Sequence, residues 1–364
     1  MAVSKIASFN DSTMSFNVHD VEIPALNEGE LLVRNIYTTI CRSDIYTFEG
    51  KRKEKSPTIL GHEIVGIIIE AAEEHGLVDI RGVSLKKGDR ITWGIYASNP
   101  LSQYSLKGIP QKAEDLFKYG HEQIKADSTL HGGLAEYIIL RKNTPIAKIN
   151  DDVPDEIASL INCSVATVAA AIRMAGSIQD KCIVVCGTGM LGTIACAMAS
   201  WMKAKKIISI DSNLDRSKTS LQFGSHFALE SAETSIEMIK NFQLLLGADP
   251  KVDVVLEFSG STTAIESTLG LLDIGGTAVW VGSTFTQPSI PVNAEQIVRK
   301  LITIKGIHNY NKEDLMTAVE FMEQCHDMYD FKCMIKGDFR LENTTEAYQY
   351  AIKENPFRVG IRLN

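Results

Sequence analysis

The stretch Cys182-Ile-Val-Val-Cys-Gly187-Thr-Gly189-Met-Leu-Gly192 is a short apolar run that leads directly into three closely spaced glycines. An apolar, helix-like stretch follows, and then Lys206-Ile-Ile-Ser-Ile-Asp211, a second strand-like run that ends on an acid 19 residues after the last glycine. A G-x-G-x-x-G pattern alone is weak, but in this strand–helix–strand–acid context it is the fingerprint of a dinucleotide-binding βαβ unit. The sequence therefore predicts a Rossmann domain. The alternative is an ordinary βα turn of some other doubly wound domain.

The residues of this motif have separate predicted roles. Gly187 permits a tight turn, Gly189 lets the backbone approach the pyrophosphate, and Gly192 permits close packing of the helix on the strand. The helix N-terminus offers free N–H groups to the phosphates. Asp211 is expected to accept hydrogen bonds from the adenosine ribose and to repel a 2′-phosphate, which favours NAD over NADP. The other predicted contacts here are Met190, Leu191 and Arg216, and Arg216 keeps NADP from being excluded.

A second motif lies in the N-terminal part of the chain. Cys41-Arg-Ser-Asp44 is followed by Gly61-His62-Glu63, and a further candidate thiolate, Cys163, lies far downstream. Zinc binds sulfur and nitrogen ligands tetrahedrally, and three protein ligands leave one position open for substrate. The pattern therefore predicts a catalytic zinc site. The alternative for each residue alone is a buried cysteine or a hydrogen-bonded histidine of the core.

On these two motifs the chain resembles the zinc-dependent medium-chain dehydrogenases/reductases, the superfamily of alcohol, sorbitol and threonine dehydrogenases. The resemblance covers nearly the full length. Four shorter stretches fall in the order that the family shows: Gly88-Asp-Arg90, Gly132-Gly-Leu-Ala-Glu-Tyr137, Val153-Pro-Asp155 and Leu256-Glu-Phe-Ser-Gly260. More narrowly, Gly108–Lys112 and Lys118–Glu122 resemble a bacterial branch known as phosphonate-catabolism-associated alcohol dehydrogenases.

The resemblance implies an α/β protein of two domains. Residues 1–157 and 293–364 would form a GroES-like, β-rich catalytic domain, and residues 158–292 would form the Rossmann domain with its doubly wound parallel sheet. The residue pattern agrees, because short alternating apolar runs precede about residue 150 and strand-like and helix-like stretches alternate after it. The family usually forms homo-dimers or homo-tetramers by pairing sheet edges, and the strand-like Thr277–Val281 matches the place of that pairing.

The resemblance also implies roles for individual residues. Cys41, His62 and Cys163 match the three zinc ligands, and Glu63 matches a nearby carboxylate that serves as a ligand in some members. Asp44 matches the acid that orients the histidine, and Ser43 matches the hydroxyl that receives the alcohol proton. The implied reaction is hydride transfer between an alcohol and NAD. The alcohol would be a secondary alcohol, a polyol or an anionic alcohol. Four further residues match positions that contact the cofactor in the family: Arg42, Gly260, Val281 and Arg358. The alternative for Arg358 is a solvated arginine at the surface.

Two departures from the family pattern bear on these expectations. The positions of the four cysteines that bind a structural zinc in many members carry Asn99, Ser102, Ser105 and Ala113 here, so we expect one zinc per chain. Tyr46 stands where several members have a histidine that passes the proton outward, and a phenol exchanges protons less readily at neutral pH than an imidazole does.

Other polar residues fit less specific interpretations. His121 and His131 are expected to be structural or at the surface, because a lone histidine is not a site. The basic loop Lys51-Arg-Lys-Glu-Lys55 would attract an anionic substrate, or is simply a solvated loop, which is the commoner case.

The composition narrows the class of protein. A chain of 364 residues with 45% hydrophobic residues is long enough for about two domains, and a net charge of −8 argues against nucleic-acid binding. The start of the chain lacks a signal-peptide pattern, and we expect no apolar run of the roughly 18 residues that a membrane span needs. Seven cysteines without a paired framework fit a reducing compartment, which predicts a cytoplasmic protein.

Two other functions remain open at this point. A zinc-free carbonyl or enone reductase on the same scaffold would usually lack the Cys41 and Gly61-His62-Glu63 motifs and commonly prefers NADP. A dinucleotide-binding regulatory subunit without turnover would bind NADH and oxidise no alcohol. The sequence names neither the substrate nor its stereochemistry.

Overall fold

The structure is a computed structural model that describes residues 2–72, 76–125, 128–231, 235–246 and 251–363. The chain divides into two compact units, one formed by Met1–Ala166 with Asn311–Asn364 and the other by Thr167–Tyr310. The chain thus passes between the units after residues 166 and 310, in each case further along the sequence than the predicted junctions at 157 and 292.

The strands in chain order are β1 (Val3–Asn10), β2 (Ser15–Glu22), β3 (Leu31–Ile40), β4 (Thr58–Ile59), β5 (Glu63–Ala71), β6 (Arg90–Trp93), β7 (Tyr96–Ala97), β8 (Phe117–Lys118), β9 (Tyr137–Leu140), β10 (Ile146–Lys148), β11 (Cys182–Cys186), β12 (Lys206–Asp211), β13 (Phe227–Glu230), β14 (Val252–Glu257), β15 (Leu272–Trp280), β16 (Thr303–Gly306), β17 (Ile335–Arg340) and β18 (Arg358–Arg362). The helices are α1 (Arg42–Phe48), α2 (Gln103–Leu106), α3 (Asp155–Ala158), α4 (Ala166–Ala175), α5 (Met190–Trp201), α6 (Leu214–Thr219), α7 (Ser235–Leu246), α8 (Thr262–Leu269), α9 (Ala294–Lys300), α10 (Lys312–Cys325) and α11 (Thr344–Glu354). Short 3₁₀ turns cover Pro110–Lys112, Ser220–Phe223, Phe331–Met334 and Leu341–Asn343, and a π-helical turn covers Ile161–Val165.

The first unit is built around β3, which pairs with β5, β9 and β18, all antiparallel. Nine of its ten residues are buried, and only Arg34 is exposed, because both faces of the strand are covered. The main sheet has the order β10-β6-β5-β3-β18-β17, with β9 joined to β3, and β2-β1-β4 and β7-β8 form two smaller sheets. The C-terminal segment therefore completes the sheet that the N-terminal residues begin.

The second unit has a six-stranded parallel sheet with the order β13-β12-β11-β14-β15-β16. Numbered within this unit the order is 3-2-1-4-5-6, that of the doubly wound dinucleotide-binding fold, whose ligand lies where the strand order reverses. The glycine-rich turn between β11 and α5 lies at that point. This confirms the predicted fold class.

The strand predicted to pair between subunits is not at an edge of this sheet. Thr277–Val281 falls in and just after β15, which lies between β14 and β16. The edge on that side is β16, so the prediction that Thr277–Val281 forms the pairing edge is wrong. The edge strand β16 is short and partly exposed.

One helical stretch corrects an expectation about membranes. Residues Asp155–Ala175 form a 21-residue helical run, through α3, the π turn and α4, that is long and apolar enough to cross a membrane by length and composition. The expectation that no apolar run reaches this length is therefore wrong. Because 78% of its most apolar window is buried inside the protein, the stretch has the character of a core helix.

Candidate functional site

The first unit brings together Cys41, His62 and Cys163, which we call the trio. Their ligand atoms, two thiol sulfurs and one imidazole nitrogen, all lie within 4.8 Å of one another. Cys41 directly follows β3 and is the N-cap of α1, and His62 directly precedes β5, so the antiparallel pairing of Thr39 with Glu63 sets them side by side. The spacing and donor types suit a tetrahedral zinc ion with one open position.

Cys163 reaches this place through an irregular piece of helix. It lies in the π-helical turn Ile161–Val165, and such turns are frequent at functional sites. The side-chain oxygen of Asn162 accepts a hydrogen bond of 3.2 Å from the backbone N–H of Ile64, which ties the turn to β5. Cys163 is partly exposed, whereas Cys41 and His62 are buried.

The electrostatics of the trio favour a cation. A hydrogen bond from Cys163, with help from Arg358 and His62, holds the pKa of the Cys41 thiol well below its usual range. The hydrogen bond with Cys41, together with burial, raises the pKa of the Cys163 thiol. Burial would lower the pKa of His62, but Asp44 and Cys41 outweigh it and raise that pKa to about 10. The Cys41 thiolate attracts a divalent metal ion, which on binding would displace the protons that Cys163 and His62 retain.

Asp44 supports two of the three ligands. Its Oδ1 lies 3.3 Å from Nδ1 of His62, and its Oδ2 accepts a hydrogen bond of 3.1 Å from the backbone N–H of Cys41. A carboxylate on the outer nitrogen of a metal-binding histidine fixes the ring and its tautomer. On the other side of the ring, the hydroxyl of Ser43 lies 3.5 Å from Nε2 of His62.

Glu63 is engaged by other side chains. Arg358 donates to both carboxylate oxygens, at 2.7 and 2.9 Å, and the hydroxyls of Thr39 and Ser164 each donate at 2.6 Å. Glu63 is fully buried, and its oxygens are not among the ligand atoms of the trio. Its predicted role as a zinc ligand stays a prediction.

Arg358 is only 4% exposed, so the alternative of a solvated surface arginine is wrong. Besides Glu63, its guanidinium donates to the hydroxyl of Ser164 at 2.7 Å and lies 3.7 Å from the sulfur of Cys41. Its predicted contact with cofactor phosphates stays a prediction, as does that of Arg42, whose guanidinium is hydrogen-bonded to Asn355. Sequence reasoning missed Thr39 and Ser164, because nothing marks a hydroxyl as the partner of a carboxylate far away in the chain.

The segment with Asn99, Ser102, Ser105 and Ala113, where the family resemblance implies that the cysteines of a structural zinc are absent, contains local hydrogen bonds. Ser102 caps α2 through its side chain, which accepts from the backbone of Ser105, and the two hydroxyls lie 2.8 Å apart. The backbone N–H of Asn99 donates to Asp115 at 2.8 Å. Ala113, at the fourth position, is buried.

The two histidines that were expected to be structural or at the surface are both buried. His121 packs its ring against that of His62, with 5.1 Å between ring centroids, and its Nδ1 lies 2.9 Å from Glu54. A surface position is therefore wrong for His121, which borders the trio. His131 is 1% exposed and contacts Phe117 edge-on.

The glycines of the second unit fit a dinucleotide. Gly187 has a φ of +85°, which favours glycine, and a Cβ on Gly192 would lie 1.9 Å from the carbonyl oxygen of Gly187. At Gly189, in contrast, a Cβ would meet no protein atom within 4 Å, so this glycine leaves open space in front of the loop. Gly189 is also the N-cap of α5 without a side-chain cap, so the first N–H groups of the helix are left for a phosphate.

Of the remaining residues predicted to contact the dinucleotide, some lie beside this loop and others lie on or after other helices and strands. One oxygen of Asp211 accepts from the backbone and the hydroxyl of Thr188, at 2.6 and 3.1 Å, and the other accepts from Asn213. This places the acid at the end of β12, beside the loop. In the first turn of α5, Met190 is buried and Leu191 is partly buried. Arg216 lies in α6. Gly260 follows β14 with a φ of +69°, and Val281 follows β15.

The chain matches two family models. Residues 27–151 match the "Alcohol dehydrogenase GroES-like domain", and residues 191–324 match the "Zinc-binding dehydrogenase" domain. The first match contains Cys41 and His62, and the second begins inside the glycine-rich motif.

Similar proteins cover the whole arrangement. The alcohol dehydrogenase of Geobacillus stearothermophilus is 28% identical over 87% of this chain and 88% of its own length. The sorbitol dehydrogenase of Halalkalibacterium halodurans is 27% identical over 94% of this chain and 93% of its own. Among solved structures, an alcohol dehydrogenase from Thermotoga maritima has the same fold, with a TM-score of 0.92, 23% identity and full coverage of both chains. With both domains matched in order and the zinc-ligand set assembled, the chain belongs to the zinc-dependent medium-chain dehydrogenases/reductases.

Proposed function

We propose that the protein is a zinc- and NAD-dependent dehydrogenase that interconverts an alcohol, preferably a secondary one, and the corresponding ketone or aldehyde. The observation that carries the proposal is the trio Cys41, His62 and Cys163, whose ligand atoms lie within 4.8 Å of one another. The curated relatives named above act on alcohols and on sorbitol, as their names state.

In this proposal Cys41, His62 and Cys163 hold one zinc, and Glu63 stays with Arg358. Zinc held there would supply Lewis-acid polarisation of the substrate oxygen, and NAD would supply the hydride acceptor. The hydroxyl of Ser43 receives the proton of the alcohol and passes its own to solvent. Asp44 keeps the imidazole of His62 oriented, and the ion pair of Glu63 with Arg358 supports β5 and the thiolate of Cys41. The net reaction converts alcohol and NAD⁺ to carbonyl compound, NADH and one proton.

NAD is proposed over NADP because Asp211 lies at the end of β12 beside the glycine-rich loop. A carboxylate there would accept hydrogen bonds from ribose hydroxyls and repel a 2′-phosphate. We also propose a cytoplasmic homo-oligomer, dimer or tetramer. The oligomer is supported by the edge strand β16, whose open side offers backbone groups for pairing.

The test is reduction of NAD⁺ by a panel of secondary alcohols and polyols, before and after removal of metal by a chelator. We expect turnover that is lost on chelation, returns with zinc, and is faster with NAD⁺ than with NADP⁺. Turnover that persists without metal, with NADP⁺ preferred, would support the zinc-free reductase instead. NADH binding without oxidation of any alcohol by the zinc-loaded protein would support the regulatory subunit.

A further inference from the structure

A group of three charged side chains and one histidine borders the trio, and the reaction proposed above gives it no role. We call Arg52, Glu54, Lys118 and His121 the Lys118 cluster. His121 packs on the ring of His62, with 5.1 Å between centroids. A Cβ on Gly120 would lie 2.5 Å from the carbonyl oxygen of Gly61, so the backbone between Lys118 and His121 lies directly against the segment that carries His62.

The charges in this cluster do not balance. Oε1 of Glu54 lies 2.7 Å from Nε of Arg52 and 2.9 Å from Nδ1 of His121, so the one carboxylate is shared between these two groups. Over the described part of the chain, no carboxylate oxygen lies within 4.0 Å of the Lys118 ammonium. Lys118 is thus a positive charge without a close carboxylate partner in the described residues, and it is near enough to Cys163 for the two side chains to interact electrostatically.

The position of Lys118 makes that charge costly in the absence of a ligand. Burial, together with the nearby cation Arg52, lowers the pKa of Lys118 to about 8, although Glu54 and Cys163 act in the opposite direction. Lysine is rarely buried without a partner, because an ammonium loses hydration there. The side chain is still partly exposed, so a small molecule can reach it. A bound anion would supply the missing counter-charge.

The lysines of the basic loop Lys51–Lys55 are arranged differently from Lys118. Lys51 and Lys55 have side chains that are 60% and 62% exposed, and they pair with Glu49 and Glu122. Among the cations of Lys51–Lys55, Arg52 is the member of the Lys118 cluster. The three lysines of the loop are therefore solvated, and the selective feature lies in Lys118 and Arg52.

We propose that Lys118, assisted by Arg52, binds an anionic group on the substrate while the reacting oxygen lies at the trio. The substrate class is then a small alcohol or ketone that also carries a carboxylate, phosphate or phosphonate. This inference rests on the proposed function, since it assigns the substrate of the same site.

The test compares substrates of one carbon skeleton that differ in a single group: a neutral diol, a hydroxyalkyl carboxylate and a hydroxyalkyl phosphonate. In the zinc-loaded wild type we expect the better anionic substrate to exceed the diol in kcat/KM by at least about tenfold, the factor that a differential interaction of 1.4 kcal/mol gives. In Lys118→Met that ratio falls at least tenfold, mainly through KM, and Lys118→Arg restores part of it. Lys55→Met changes the net charge equally, and we expect it to leave the ratio unchanged. The carboxylate and phosphonate arms identify which anion is bound.

A binding measurement separates the two levels of the proposal. Propyl phosphonate and butyrate, which have no hydroxyl to oxidise, are titrated into the zinc-loaded protein by calorimetry. If anion binding depends on Lys118 but no alcohol is oxidised, the anion site stands and the dehydrogenase proposal fails. If alcohols are oxidised but Lys118→Met leaves both the substrate ratio and anion binding unchanged, or lowers kcat/KM for neutral and anionic substrates alike, the anion site is refuted while the dehydrogenase stands. A wild type that neither turns over nor binds these anions contradicts both.

Discussion

Among single side chains, Asp44 links a helix N-terminus to a candidate metal ligand. One carboxylate caps the N-terminus of α1 at Cys41 and faces the outer nitrogen of His62. Asp314 has the same local role in α10, where it forms a capping box with Asn311, and it too is 1% exposed. The two acids differ in that Asp44 also faces a candidate zinc ligand. This pair separates the effect of a helix cap from the effect on a metal site.

We expect Asp44→Asn to weaken zinc binding by about 10- to 100-fold, because the amide is a poorer partner for the ring of His62. Asp314→Asn should leave zinc affinity unchanged while costing about 1 kcal/mol of stability as a weakened cap. Competition with a chromogenic chelator measures the affinity, and urea unfolding of the zinc-loaded proteins measures the stability. Equal zinc affinity in both variants would show that Asp44 is only a helix cap.

The residue scale also shows what the sequence could and could not reveal. Cys41, Asp44 and His62 lie in short motifs, so they were predicted as a site. The partnership of Glu63 with Arg358 joins residues 295 positions apart, and the hydroxyls of Thr39 and Ser164 complete it. No local spacing encodes such a pairing, since it depends on β18 returning to lie beside β3.

Among helices and strands, the turn from β11 into α5 shows two different uses of glycine. Gly192 is required by the protein itself, because a Cβ there would collide with the carbonyl of Gly187. Gly189 is not, because its Cβ would point into space free of protein atoms. A dinucleotide phosphate is the occupant that we propose for that space.

We therefore predict opposite outcomes for two alanine variants. Gly189→Ala should change the free energy of unfolding by less than about 1 kcal/mol but weaken NADH binding about tenfold or more, since the methyl group fills the phosphate space. Gly192→Ala should destabilise the fold by about 1–3 kcal/mol through overpacking. Fluorescence titration with NADH and urea unfolding give the two quantities. Wild-type NADH affinity in Gly189→Ala would remove the assignment of this loop to the phosphates.

The buried side chain of His131 makes the free energy of unfolding depend on pH. Burial lowers the pKa of His131 to about 4; Arg141 also lowers it, while Glu122 acts in the opposite direction. The unfolded chain takes up this proton near the ordinary value of about 6.5. Between these values the unfolded state binds more protons, so the free energy of unfolding falls as the pH drops from about 6.5 to 4, by about 3 kcal/mol in total.

Comparison of variants isolates this contribution. We expect His131→Gln to show a shallower loss of stability between pH 7 and 4 than the wild type, and His19→Gln, at an exposed position, to follow the wild-type curve. Urea unfolding at several pH values measures both. Parallel curves for wild type and His131→Gln would mean that His131 is protonated in the folded protein as readily as in the unfolded one.

At the same scale, the alternating strands and helices after residue 150 were predictable, because apolar runs of strand length separate helical stretches. The edge position of β16 was not, because strand order is a property of the whole sheet. The π turn that carries Cys163 was likewise not predictable, since its apolar residues read as ordinary helix.

For the molecule as a whole, each unit carries one half of the proposed chemistry. The first unit holds the trio, and the second holds the glycine-rich loop with Asp211. Family membership was readable from the sequence because both motifs are short and ordered. Membership of the narrower phosphonate-associated branch stays a prediction, which the anion-binding test bears on directly.

The central claim is one zinc per chain, held by Cys41, His62 and Cys163. The measurement that tests it most directly is elemental analysis of zinc in the purified wild type, in Cys41→Ser and in Cys196→Ser, a control at a buried cysteine of α5. We predict one zinc per chain in the wild type and in Cys196→Ser, and little or none in Cys41→Ser. A folded, NADH-binding wild type without zinc, or one zinc retained in Cys41→Ser, would contradict this account.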